Sequence, residues 1–391
     1  MNPPAIFISA LEPSADELGA GLIRALRPRC PGGRFIGVGS RAMEDEGVES
    51  LFPTSDLAIF GALEGILAYP RVRARVAQAA AYVAKQRPDA VVLIDSWGFS
   101  QRLAASLRRL PHRPMIIKYV APQVWASRAG RARLLAGRVD HLLAINSFDP
   151  PLFERWGLPA TFVGNPAAAT DFSDADPLAF RERLGIGSTD PILLLMPGSR
   201  QEEVRRLLTI FEETTRRLRR DRPNLEVIIA AADGLGSTLA GQVASWTNPV
   251  RLIEGPRDRL SAMRAAHAAL ACSGTAVVQL AAAATPVVAA YRLGSATYLA
   301  AKLLIRTPFI TLVNVAAGRF VVPERVQGAC TPGRLAADLA PLLDHPAVRA
   351  SRIAEQSAAL SILRGGIADP PAAAADAILE LLKARLGAPV G

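Results

Sequence analysis

Short apolar runs of strand length alternate along this chain with longer stretches whose apolar residues recur at helical spacing. In the first half, Ala5–Ala10, Arg34–Val38, Ala90–Asp95, Met115–Val120 and Asp140–Ile145 predict strands. Leu18–Leu26, Glu64–Gln86, Phe99–Leu110, Arg128–Gly137 and Pro151–Trp156 predict the helices between them. The pattern breaks between Asn165 and Pro191, where a polar, alanine-rich stretch holds only a short helix at Arg181–Leu184. It resumes with strands predicted at Ile192–Met196, Leu225–Ala230, Val250–Ile253, His267–Ala271, Pro286–Ala290 and Phe309–Leu312, and from about Pro332 to Leu386 only helical patterns remain. A repeated β-α-β order predicts parallel sheets with helices on both faces. The chain therefore reads as an α/β protein of two Rossmann-like domains, residues 1–170 and 171–345, facing a cleft, with a helical tail, 346–391, expected to pack back on the N-terminal domain.

Two strand-to-helix turns in the second half are suited to an anion. After Ile192–Met196 comes the breaker Pro197-Gly198, and Ser199 with Glu202 has the spacing of a capping box. First-turn amides without partners, together with the helix dipole, favour a phosphate there, and Arg200 adds a full charge with a bidentate fork. The second turn is Cys272-Ser273-Gly274-Thr275-Ala276, where Gly274 lets the backbone approach a ligand. Two such turns suggest a diphosphate site, although either alone is equally an ordinary capped helix. Neither a P-loop nor a dinucleotide fingerprint is present. Ser14 and Glu17, after the first strand, are again spaced as a capping box.

Composition narrows the function classes. At 391 residues and 50% hydrophobic content the chain is long enough for two cores, and 20% charged residues argue against disorder. The net charge of +10 is almost all arginine, with lysine only at 85, 118, 302 and 383, and it is dispersed, so no nucleic-acid partner is expected. Anionic lipid or a phosphorylated substrate suits that charge better. Cys30, Cys272 and Cys330 are odd in number and far apart, which predicts no disulfide framework, no metal-ligand spacing and a reducing, cytoplasmic setting. The N-terminus lacks the basic region of a signal peptide, and no apolar segment is long enough to predict a transmembrane helix.

In open parallel sheets ligands bind beyond the carboxyl ends of the strands, where these turns lie. Two such domains give the outline of a B-type glycosyltransferase, or equally of a sugar-nucleotide epimerase. The residues are more specific. Glu12-x-Ser14-x-Asp16-x-Leu18-Gly19, Tyr119-Val120-Ala121-Pro122-Gln123-Val124-Trp125-Ala126 and Phe162-Val163-Gly164 stand in order in the first half. In the second half follow Leu195-Met196-Pro197-Gly198-Ser199-Arg200-x-x-Glu203-Val204, Ser273-Gly274-Thr275-Ala276, Asn314-x-x-Ala317-Gly318-Arg319 and Val322-Pro323-Glu324-x-x-Gln327. Over essentially its whole length the chain resembles the lipid-A-disaccharide synthase family, inverting glycosyltransferases of B-type fold.

That resemblance implies transfer of a diacylglucosamine from UDP to diacylglucosamine 1-phosphate, giving a β-1,6-linked disaccharide and UDP. It implies no metal and no cofactor beyond the UDP-sugar substrate, and a cytoplasmic enzyme peripheral on the anionic inner-membrane surface; a homodimer is an admissible assembly. Ser199, Arg200, Ser273, Gly274, Thr275, Ala276, Gln279, Asn314, Arg319 and Glu324 become the expected donor side, and Ser14, Gly98, Trp125 and Asn165 the acceptor side. The family's Gly-Glu-x-Ser-Gly-Asp stands here as Leu11-Glu12-Pro13-Ser14-Ala15-Asp16, and its Asp-x-Pro-Asp-Phe as Asp95-Ser96-Trp97-Gly98-Phe99. Gly98 thus replaces the aspartate proposed as general base. Asn165 replaces a histidine, and Gln279 a glutamate. Asp16, Glu12 and Asp95 are the carboxylates near enough in the pattern to act as catalytic bases instead. A catalytically impaired paralogue that binds nucleotide sugar or acylated sugar, and a transferase with another lipid acceptor, are the competing readings. Apolar residues 59–69 before Arg71, Arg73 and Arg75 form a candidate interfacial segment, or otherwise a core helix with a solvated basic end.

Overall fold

The computed structural model describes residues 3–57, 69–294, 298 and 305–387. Its contacts divide the chain into two compact units, Met1–Pro166 with Gly366–Gly391, and Ala167–Gly365. Each is built on a six-stranded parallel sheet.

In the first unit the strands are β1 (Ala5–Ala10), β2 (Arg34–Val38), β3 (Ala90–Ile94), β4 (Met115–Tyr119), β5 (His141–Ala144) and β6 (Ala160–Phe162), in the order β2-β1-β3-β4-β5-β6. The central strands are apolar on both faces because both faces are covered. One face, with Phe7, Val91, Leu93 and Leu142, packs on α3 (Tyr69–Gln86) and α4 (Trp97–Leu107) through Val72, Val76, Ala79, Val83, Phe99, Leu103 and Leu107. Those positions recur at helical spacing, which is why their periodicity was readable. The other face, with Ile6, Ile8, Val92 and Tyr119, packs on α1 (Pro13–Arg29). The short helices α2 (Arg41–Asp45), α5 (Gly130–Ala136) and α6 (Pro150–Glu154) connect the strands.

The second unit opens with α7 (Pro177–Arg183), whose N-terminus is capped by Asp176. Its strands are β7 (Ile192–Met196), β8 (Glu226–Ala230), β9 (Arg251–Ile253), β10 (Ala268–Cys272), β11 (Val287–Tyr291) and β12 (Glu324–Val326), in the order β12-β11-β10-β7-β8-β9. The helices are α8 (Gln201–Arg220), α9 (Gly236–Val243), α10 (Pro256–Ala265), α11 (Thr275–Ala282), α12 (Leu312–Ala317), α13 (Pro332–Asp344) and α14 (Pro346–Arg364). α8 turns Val204, Leu207, Leu208, Phe211 and Leu218 onto the sheet. The C-terminal helices divide between the units. α14 packs on α11, α12 and α13, whereas α15 (Pro370–Gly387) crosses back to α1 and places Ala374, Ala375, Ile378 and Leu382 in the core of the first unit. Arg29 Nε donates to Asp376 at 2.7 Å beside that contact.

Three local expectations are corrected. Residues 309–312 form no strand, because the Glu324 carboxylate takes the Ile310 and Thr311 amides that a ladder would have used, and Thr311 caps α12. Ser14 is not a helix cap: Pro13 occupies the first helical position, as proline favours, so Glu12 becomes the N-cap. Nor does Ser199 cap α8, whose N-cap is Arg200 without a side-chain cap, while Glu202 pairs with Arg205 and Arg206 at 2.9 and 2.7 Å. Residues 59–68 of the expected interfacial segment lie outside the described residues, but α3 carries Arg71 and Arg73 exposed. Among the described residues no helix is long and apolar enough to cross a membrane.

Candidate active site

Both sheets reverse their strand order once, and four of the turns that carry sequence-predicted residues lie at those two reversals. In the first unit the chain runs from β1 outward to β2 and then crosses to β3 on the other side of β1. The turns after β1 and β3, carrying Glu12 to Asp16 and Asp95 to Gly98, therefore leave neighbouring strands. In the second unit β7 is followed outward by β8 and β9, and β10 returns to its other side. This brings the Pro197–Arg200 turn beside Ser273–Ala276. Such reversal points open a crevice between successive helix N-termini, where ligands of open parallel sheets bind.

The residues expected on the donor side fall into an open group and an anchored group. Gly198 has φ 125°, and a Cβ there would lie 2.7 Å from the Glu203 carboxylate, so this turn requires glycine. The turn leaves Ser199 and Arg200 exposed at the start of α8, with Arg200 Nη1 3.6 Å from Glu203 Oε1. Gly274 is the N-cap of α11, and a Cβ on it would meet nothing within 4 Å among the described residues. Thr275 is exposed beside it, with Ala276 and Gln279 half-buried in the same helix. Ser273 Oγ donates to the Ile310 carbonyl at 3.0 Å, tying this turn to the segment before α12.

Asn314 and Glu324 are anchored. Asn314 is fully buried; its Oδ1 accepts from the Val321 and Val322 amides, both at 2.8 Å, and its Nδ2 donates to the Val322 carbonyl at 2.8 Å and Glu324 Oε1 at 2.7 Å. Glu324 also accepts from Ile310 N, Thr311 N and Thr311 Oγ1 at 2.8 to 2.9 Å. These two side chains fix the loop from Ile310 to Glu324. Arg319, by contrast, is exposed and 3.4 Å from Glu355.

Among the residues expected as bases or on the acceptor side, Asp16 is buried and its two carboxylate oxygens accept from Ser40 N at 2.7 Å and Ala42 N at 2.9 Å, so it holds the start of α2. Ser14 is exposed in the first turn of α1. The Glu12 carbonyl accepts the Ala15 and Asp16 amides. Asp95 and Ser96 have φ of 44° and 43°, two successive non-glycine residues in the left-handed region. Each such residue costs about 1–2 kcal/mol. Gly98 follows in the first turn of α4; its Cβ position is open except for Arg102 Nη1 at 3.7 Å.

Beyond β4 and β5 lies a buried polar group only part of which the sequence pattern indicated. Asn165 donates to Asn146 Oδ1 at 3.2 Å, and Asn146 donates to Asp149 Oδ2 at 2.9 Å. Among the described residues, Asp149 Oδ1 and Trp125 Nε1 are both buried without a hydrogen-bond partner, and the Trp125 ring meets Phe148 edge to face at 5.8 Å. Burial pushes the Asp149 carboxyl up to about 7, against the Asn146 hydrogen bond, which favours the ion. Asp149 and Lys118 were missed by sequence reasoning. The available signal was a charged residue at the interior position of the apolar run MIIKY.

A family description, Lipid-A-disaccharide synthetase, matches residues 6–368. The chain is similar to the lipid-A-disaccharide synthase of Rhodospirillum centenum, 41% identical over 387 residues that cover 99% of this chain and 96% of the relative. It is similar also to that of Ruegeria pomeroyi, 39% identical over 386 residues, covering 96% and 95%. In fold it resembles a putative UDP-N-acetylglucosamine 2-epimerase from Listeria monocytogenes, with TM-score 0.65 and 16% identity, covering 99% of this chain and 97% of that one.

Proposed function

Because this chain belongs to the lipid-A-disaccharide synthase family, glycosyltransferases of lipid A biosynthesis, we propose that it moves 2,3-diacylglucosamine from UDP to 2,3-diacylglucosamine 1-phosphate and releases UDP. The observation that carries the donor half of this reading is the pair of adjacent turns at Pro197–Arg200 and Ser273–Ala276, which leaves Arg200 and two helix N-termini exposed at one strand reversal. A leaving diphosphate gains negative charge as the glycosidic bond to it breaks. Fixed amides and a guanidinium beside it favour that state over the bound substrate. The direct test incubates the protein with both acylated sugars and measures disaccharide and UDP together. Equal amounts are expected, and UDP release without disaccharide overturns the acceptor assignment.

Arg200 supplies the charge-specific prediction. Arg200→Ala is expected to weaken UDP binding about tenfold or more, the loss of a charge-assisted hydrogen bond worth roughly 1.5–3 kcal/mol. Titration calorimetry with UDP reads it; an unchanged affinity returns Arg200 to its local pairing with Glu203.

The acylated substrates place the reaction at an anionic membrane surface. Exposed Arg71 and Arg73 on α3 support contact with headgroups there. Sedimentation with anionic vesicles is expected to be strong at low salt and reduced at high salt, and to weaken in Arg71→Ala/Arg73→Ala. Equal sedimentation with neutral vesicles counts against the electrostatic contact.

A further inference from the structure

An ammonium group lies beneath the strand reversal of the first unit. Lys118, on β4, is 2% exposed, and its Nζ donates to the Leu93 carbonyl at 3.1 Å and to the Asp95 carbonyl at 2.5 Å. Lysine is almost never fully buried, because its charge loses water that a few protein dipoles replace poorly. Sheet formation does not call for it: β3 and β4 are joined by their own ladder, and Lys118 stands in register with Leu93 on one side and Leu142 on the other. What it meets is a strained stretch of backbone. The Asp95 carbonyl it binds belongs to the first of the two consecutive left-handed residues, Asp95 and Ser96. Ser100 Oγ donates to that same oxygen at 2.6 Å, so both of its lone pairs are engaged. The turn so held leads into α4 at Trp97, which puts position 98 in the first helical turn.

We propose that Lys118 is a positioning residue of the transfer reaction, holding the Asp95–Ser96 turn in its left-handed form through the Leu93 and Asp95 carbonyls so that the end of β3 is presented to the acceptor. It acts from inside the sheet and touches no substrate. The inference rests on the transferase reading.

Protonation of Lys118 belongs to this role, since the neutral amine is a much weaker donor to carbonyls. Burial lowers its pKa to about 8, and the Asp95 charge partly opposes that shift. Asp95 is the charged group facing it from β3; on α4, Arg102 is turned away to the Gly98 carbonyl at 2.6 Å, and the β5 neighbour Leu142 is apolar. The ammonium and its grip on the turn are present at lower pH and lost as pH rises through about 8.

Lys118→Met keeps the chain length and removes the ammonium. Its single-turnover rate of disaccharide formation is expected to fall about tenfold or more, with UDP affinity, which reads the other unit, within twofold of wild type. The wild-type rate is expected to decline above about pH 8 with unchanged circular dichroism, and the residual rate of Lys118→Met to lack that decline. Ser100→Ala, which removes the second bond to the same carbonyl, is expected to lower the rate in the same direction and by less. Should Lys118→Met fail to fold, Ser100→Ala and the wild-type pH profile decide. A wild-type rate in both variants, a flat wild-type profile from pH 7 to 9.5, or a parallel loss of UDP affinity overturns the proposal. A wild type that binds UDP but makes no disaccharide overturns the transferase reading, and this inference with it.

Discussion

Gly98→Asp is expected to raise the single-turnover rate of disaccharide formation by at least about tenfold, because a positioned base is typically worth about 10²–10⁴ in rate and glycine supplies none. The backbone accepts the change: Gly98 is not at positive φ, and its Cβ would meet only Arg102 Nη1, at 3.7 Å. A carboxylate in the first turn of α4 is favoured by the helix dipole, and Arg102, whose Nη1 already donates to the Gly98 carbonyl at 2.6 Å, helps keep it ionised. Of the carboxylates nearby, Asp16 has both oxygens engaged by the amides of Ser40 and Ala42, whereas Glu12, the N-cap of α1, accepts the helix amides with its carbonyl and not its carboxylate. That leaves Glu12 and Asp95, half-buried at the end of β3, as substitutes for the aspartate that position 98 lacks. The assay uses UDP-diacylglucosamine and diacylglucosamine 1-phosphate with Gly98→Asp and Asp95→Asn in parallel. A wild type already fast, abolished by Asp95→Asn and unimproved by Gly98→Asp, places the base at Asp95. A slow wild type improved by Gly98→Asp and indifferent to Asp95→Asn leaves the wild type without one.

Asn314→Ala is expected to destabilise the second unit by about 2–5 kcal/mol, since it strips the buried amides of Val321 and Val322 of their acceptor and leaves a carbonyl and a carboxylate oxygen with one donor fewer. The comparison is Arg319→Ala, which breaks only an exposed pair with Glu355 and is expected to change stability by less than about 1 kcal/mol. Urea denaturation of the three proteins measures both. A midpoint unchanged in Asn314→Ala, together with weakened UDP binding, would make Asn314 a ligand contact rather than the anchor of its loop.

These expectations differ in how far the sequence could lead to them. Gly198 and Gly274 were legible as breakers at helix starts, because each ends an apolar run, whereas an arginine beside such a turn is equally an ordinary helix-start residue. Asn314 and Glu324 were legible as a motif but not as a pair. Nothing in their spacing shows that one side chain donates to the other, or that Glu324 takes the amides of Ile310 and Thr311, and for that reason Phe309–Leu312 was read as a strand. The capping boxes failed for a related reason. Spacing alone does not say whether Pro13 or the left-handed Gly198 turn will move the helix start by a residue or two.

By itself the sequence determined the alternation of strand and helix, the two parallel sheets and the family, because apolar periodicity, turn composition and motif residues act over a few neighbouring positions. Only the tertiary structure decided the strand orders β2-β1-β3-β4-β5-β6 and β12-β11-β10-β7-β8-β9, which bring turns distant in sequence to one reversal point in each unit. It also decided that the C-terminal helices part company, α14 with the second unit and α15 with the first. It set the Lys118 ammonium beneath the carbonyl of Asp95, 23 positions away in the chain. Contacts of that kind are fixed by which strands become neighbours, a choice made by burial of whole faces and by chain crossover, and no local window of sequence contains it.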